Sequence, residues 1–172
     1  MRRLLSAALC LLLFTTACSY YNTSSRDRSL RGTVAIPLMS NESSQAGLEL
    51  EMTEMLRDAI EQDGLLDIIP NNFTADFLLE ATITEYEESI SFSTLAGSAE
   101  EYRLTMTLRT SFQVQVVGRD DLPESWERSI RAQATFYVEG SEGGEFLTRE
   151  DAETQVREQV VEDILNGIFG EW

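Results

Sequence analysis

The sequence predicts an α/β (α+β) fold: a two-layer sandwich with two amphipathic helices on one face of a mixed β-sheet that has long antiparallel strands. Three observations predict it. Two long stretches, Tyr102 to Val116 and Trp126 to Val138, alternate apolar and polar residues, the period of a strand with one face buried and one wet. Two others, Ala46 to Asp63 and the chain from Thr148 onward, repeat apolar residues at helical spacing. Short runs rich in Gly, Pro, Asp and Ser separate them, as turns require.

In order, "TVAIPL" (Thr33 to Leu38) is a β-branched, apolar run ended by Pro37, a residue tolerated at a strand end or sheet edge. The first helix follows, with Leu48, Met52, Met55, Leu56, Ala59 and Ile60 as its apolar stripe, Ser43 or Ser44 to cap it and Gly64 to stop it. "LLDII" (Leu65 to Ile69) is then a strand, parallel to the first through a right-handed crossover if both share a sheet. Phe77, Leu79, Ala81 and Ile83 alternate, after which the apolar set shifts to Tyr86, Ile90 and Phe92. That change of parity predicts a bulge near Glu85. "GRDDLPES" turns the chain between the last two strands. The closing helix starts at Thr148, with Asp151 completing a variant capping box, and packs through Ala152, Val156, Val160, Val161, Ile164, Leu165, Ile168 and Phe169.

Lengths add a constraint. Strands of about 16 and 13 residues extend ~53 and ~43 Å, whereas helices of about 18 and 21 residues reach only ~27 and ~31 Å. Two helices therefore leave part of such a sheet bare. Either the strands bend and return their side chains to the core, or a hairpin projects, its tip "ISFSTLAGSAEE" offering Ile90, Phe92 and Leu95 to a partner.

The N-terminus has a different logic. Arg2 and Arg3 precede an apolar run, Leu4 to Phe14, that is too short to span a bilayer and reads as a secretory signal over residues 1–17. "TTAC" resembles the bacterial lipobox, with Thr15 where Leu is usual; lipidation of Cys18 would make it the mature terminus, and Ser19 resembles the outer-membrane sorting residue. At ~0.8 kcal/mol per buried methylene, two or three acyl chains anchor a protein almost permanently. Residues 18–32 read as the lipidated terminus and a flexible tether, at most about 45 Å long, and 33–172 as one domain. Tyr20 and Tyr21 suit a membrane interface. Cys10 leaves with the signal and Cys18 carries lipid, so neither supplies a disulfide or a metal ligand to the fold.

Composition narrows the chemistry. Loss of Arg2 and Arg3 leaves 11 basic against 30 acidic side chains, a net charge of −19, with every base an Arg. Nucleic acid is excluded as a partner because no basic cluster exists to neutralise phosphate. There is no histidine, so the commonest general base and metal ligand is missing. No nucleophile elbow, dinucleotide fingerprint or phosphate loop occurs. No catalytic residue, cofactor or metal is called for; "EGSEGGE" (Glu139 to Glu145) lacks the spacing of a calcium hand and reads as a turn.

Between Val34 and Tyr86, the residues Ile36, Pro37, Asn41, Gly47, Leu48, Glu49, Asp63, Gly64, Leu65, Ala75, Asp76, Leu79, Ile83 and Tyr86 form a pattern that resembles the LptE family of lipopolysaccharide-assembly lipoproteins, with Met39 where that family usually has Phe and Ala81 where Gly is frequent. Each also has a structural account: helix stop, core, or turn former. The resemblance implies a non-catalytic outer-membrane lipoprotein on the periplasmic face, which plugs the LptD β-barrel and assists its assembly for lipopolysaccharide transport. A plug needs a polar sheet face to meet a polar lumen. Arg103, Arg109 and Arg131 lie on that face and are candidates for barrel acids or lipopolysaccharide phosphates, although such charges also keep any open sheet face soluble. The charge of −19 opposes a direct grip on anionic lipid unless cations bridge or the arginines dominate locally. Two other readings stand beside this one. One is a regulatory or scaffolding outer-membrane lipoprotein that binds a periplasmic enzyme or secretion component; the other is a hydrolase working through Glu85, Glu87 and Glu88.

Overall fold

A computed structural model describes residues 30–93, 100–118, 122–137 and 147–170. The segment read as a signal, Cys18 and most of the segment read as a tether lie outside these residues, as do Leu95 and the acidic stretch Glu139 to Glu145. The elements are β1 (Gly32–Ala35), β2 (Ser40–Asn41), α1 (Leu48–Asp63), β3 (Leu66–Ile68), β4 (Phe77–Ser93), β5 (Glu100–Val114), β6 (Trp126–Tyr137) and α2 (Arg149–Phe169).

One sheet runs β3-β1-β4-β5-β6, with β2 paired to β4 beside that path. β3, β1 and β4 are parallel, β2 is also parallel to β4, and β4, β5 and β6 are antiparallel, so the sheet is mixed. Both helices and the alternate residues of the strands contribute to one hydrophobic cluster, built on Phe77, Leu79, Leu104, Met106, Leu108, Phe112, Met52, Leu56, Ile164 and Phe169. Phe77 stacks on Phe112 at 5.3 Å and Phe112 on Trp126 at 5.9 Å, which ties three strands together. Among the described residues no helix is long and apolar enough to cross a membrane.

β1 stops at Ala35, short of the Leu38 that its composition predicts. Pro37 has no N–H to continue the ladder, and the chain pairs with β4 again only at Ser40–Asn41, opposite Thr82 and Ile83. Helix α1 supplies partners in the gap: the Arg57 guanidinium donates to the Ile36 carbonyl, and the Met39 amide donates to the Thr53 hydroxyl at 3.0 Å. This is why Thr53, a polar residue on the helix, is buried.

The start of α1 corrects the sequence reading. Neither Ser43 nor Ser44 caps it; Gly47 does, in the left-handed region at φ 90, with no side-chain cap. Asn41 has taken Ser43 for another task. Its Oδ1 accepts from the Ser43 amide and hydroxyl (3.0 and 2.7 Å), while its Nδ2 donates to the Gln45 carbonyl and to Glu49 (2.7 and 2.8 Å). The entry turn is thus closed before the helix begins, and a glycine turns the chain into it. At α2 the expected capping box forms: Thr148 Oγ1 accepts from the Asp151 amide and the Asp151 carboxylate accepts from the Thr148 amide.

The bulge read from the change of parity is present as a register shift between Ile83 and Glu85, and a second lies between Ile90 and Phe92. The first puts Tyr86 rather than Glu85 on the helix side, where it packs against the core. Burial, and next the charge of Glu153, push its phenol above the ordinary range.

Candidate functional site

With the helices on one face, the other face of β4, β5 and β6 is open. Alternation and register set its rows: Glu80, Thr82, Glu85, Glu87 and Ser89 on β4; Arg103, Thr105, Thr107, Arg109, Ser111 and Gln113 on β5; Glu127, Ser129, Arg131, Gln133 and Thr135 on β6. Cross-strand hydrogen bonds order these rows. Thr107 donates to Glu85 at 2.7 Å, Gln133 to Thr105 at 3.2 Å and Gln113 to Glu80 at 3.2 Å.

The three arginines of the sequence reading share this face but not one site. Arg103 lies six positions before Arg109 on β5, about 20 Å away. It donates to the Ser91 hydroxyl at 3.0 Å. Beside it, the Tyr137 hydroxyl donates to Glu101 at 2.7 Å. That bond, with help from Ser91, holds the Glu101 carboxyl below the ordinary carboxylate range and lifts the Tyr137 phenol above its own. Arg109 and Arg131 are different. The register sets Arg109 opposite Ser129 and Arg131 opposite Thr107, which makes the two diagonal neighbours. Both are exposed, and among the described residues neither makes a hydrogen bond or ion pair.

Arg109 also helps to line a depression of about 380 Å³ with Pro37, Leu38, Ser40, Glu80 and Glu127. Strand alternation makes Arg109 legible in the sequence, but not this setting. Its signal was Pro37: where β1 leaves the ladder, the chain beyond it forms one wall. Chemically the place presents a planar, always-charged donor fork beside two carboxylates, suited to pairing with an acidic group that also tolerates a basic neighbour.

Ile90 belongs elsewhere. It lies on the helix-side face, opposite Tyr102, near the hairpin end of β4, and is 62% exposed. Phe92 continues β4, paired with Glu101, and its side chain, like Leu95, falls outside what is described. Ile90 therefore lies on the face opposite the three arginines. The three carboxylates considered for hydrolysis do not converge either: Glu85 and Glu87 are on the open face, whereas Glu88 is on the helix side, 3.3 Å from Arg149.

This architecture recurs in solved structures. Protein CT253 from Chlamydia trachomatis aligns with a TM-score of 0.54 at 14% identity, over 80% of this chain and 98% of that one. Protein XCC0632 from Xanthomonas campestris gives 0.55 at 8% identity, over 86% of each chain. A neuraminyllactose-binding hemagglutinin homolog from Helicobacter pylori gives 0.50 at 10% identity, over 85% of this chain and 89% of that one. At such identities these likenesses speak for the fold alone. A direct sequence comparison with curated proteins finds no match. The model of the family described as LptE, lipopolysaccharide-assembly, matches residues 31–168, from the start of β1 almost to the end of α2. The chain belongs to the LptE family.

Proposed function

We propose that the protein is a non-catalytic lipoprotein of the outer membrane, lipidated at Cys18, that plugs an LptD-like β-barrel and assists its assembly for lipopolysaccharide transport. In this reading residues 1–17 are the signal, 18–32 the lipidated terminus and tether, and 33–172 the domain that meets the barrel from the periplasmic side. The observation that carries it is the family match across the whole fold. The open face supports it physically: a wide polar sheet surface, with Arg109 and Arg131 unengaged among the described residues, suits a polar barrel lumen better than an apolar partner would. Arg103, Arg109 and Arg131 are the proposed contacts on the face, and Ile90, Phe92 and Leu95 those of the hairpin end.

The test is recovery of the affinity-tagged mature protein from detergent-solubilised outer membranes, with mass spectrometry of stable partners. A near-stoichiometric large β-barrel protein is expected. Recovery of a periplasmic enzyme or secretion component with no barrel would replace this reading with that of a regulatory lipoprotein.

A further inference from the structure

We propose that the end of the fold carrying Phe73 and Val117 rests in the interfacial layer of the bilayer to which the chain is anchored. The inference rests on the reading of Cys18 as a lipidated terminus. Phe73 is 97% exposed and Val117 96%, the two most exposed large apolar side chains among the described residues. They sit on different connections, the turn before β4 and the loop after β5, and those connections are fastened together. The Gln115 amide donates to the Asp76 carbonyl at 2.8 Å, and its side-chain amide, its nitrogen assigned to the position that faces only acceptors, donates to the Asn72 and Ala75 carbonyls at 2.9 Å each. The turn that presents Phe73 is itself closed, its amide donating to Asn71 Oδ1 at 2.9 Å.

Topology places the root of the tether at the same end. β1 is parallel to β4, with Val34 opposite Phe77, so the chain enters the sheet where β4 begins and β5 finishes. Leu30 is already buried in the core, so the tether is fixed there. From Cys18 to Leu30 the chain reaches at most about 40 Å. An aromatic ring and a branched aliphatic side chain, held outward beside the root of a lipid anchor, are the groups an interfacial layer accepts. The charge excludes the alternative of electrostatic attachment: a chain carrying −19 is repelled by an anionic leaflet, so contact must come from apolar burial and must survive high salt.

The test uses the full lipidated chain. Cys10 is lost with the signal and Cys18 is acylated, so Phe73→Cys or Val117→Cys introduces one free thiol, which is labelled with an environment-sensitive fluorophore. The protein is reconstituted in phosphatidylethanolamine–phosphatidylglycerol vesicles containing nitroxide-bearing lipid. Leu50→Cys is the matched control, an exposed apolar position in the first turn of α1, whose other end leads to β3 and the anchor side of the sheet. At least twofold stronger quenching is expected at 73 and 117 than at 50, unchanged in high salt. Equal quenching at all three positions, or quenching lost in high salt, overturns the proposal. The N-terminal peptide is weighed in the same samples. An acyl mass without site-specific quenching sinks the membrane contact alone, whereas no acyl mass sinks the anchor reading and the contact with it.

Discussion

Asp76 closes the junction between β1 and β4. Its carboxylate accepts from the Thr33 amide at 2.7 Å and the Thr33 hydroxyl at 2.9 Å, while its own amide donates back to that hydroxyl at 3.0 Å. Asp76→Ala leaves these partly buried donors unpaired, and chemical denaturation should show a loss of about 1–3 kcal/mol. The same carboxylate explains Gly32: a Cβ there would lie 2.8 Å from Asp76 Oδ2, so Gly32→Ala should also destabilise. Thr110 points the other way. Its side chain is fully buried in the sheet, and its hydroxyl has no partner among the described residues. Thr110→Val removes an unpaired polar atom at nearly constant volume, so the melting temperature should hold or rise. A fall would mean that the hydroxyl is paired.

At the level of elements, the sequence disclosed most where packing enforces periodicity. The β5 and β6 rows, the α2 stripe and the first β4 bulge were legible because every second or every third and fourth side chain enters one core. What stayed hidden depended on contacts between distant segments. The early end of β1 is completed by Thr53 and Arg57 of α1, and the cap of α1 passed to Gly47 once Asn41 had engaged Ser43. Of the candidate site, Arg109 and Arg131 were readable from alternation, but the wall beside Arg109 was not, because Pro37 creates it by tertiary placement. The α2 capping box makes a pH prediction. The Thr148 hydroxyl and amide hold the Asp151 carboxyl below the ordinary range. A depressed carboxyl contributes stability above its unfolded-state pKa and loses it as pH falls through the folded one. Asp151→Asn should therefore melt at lower temperature than the parent at neutral pH, and the gap should narrow as acid protonates the parent. A gap of constant size down to strongly acidic pH would contradict the charge-based account.

For the whole molecule, the Arg109–Arg131 pair and Ile90 make different predictions because they lie on opposite faces of one sheet. The polar face offers Arg109 and Arg131 near its middle, and the helix-side face offers Ile90 where β4 nears the hairpin. All three side chains are exposed, so replacing them should leave the fold intact. Their effect on partner recovery is then a reading of orientation. If the open face lies against a polar wall, the paired change Arg109→Glu and Arg131→Glu should cut recovery of the barrel at least tenfold, because it puts two carboxylates against whatever acids the guanidinium groups met. Ile90→Ser should then cost little. If contact is instead made end-on, by a hairpin entering an apolar or mixed pocket, Ile90→Ser carries the loss and the charge reversal is nearly silent. The double reversal shifts the net charge by −4, and the long-range part of that change is screened beyond about 8–10 Å at physiological salt, so a large effect of the reversal must arise from local pairing. Repeating the recovery in high salt completes the argument. An interface made through the arginines should weaken with salt even in the parent protein, and one made through Ile90 should not.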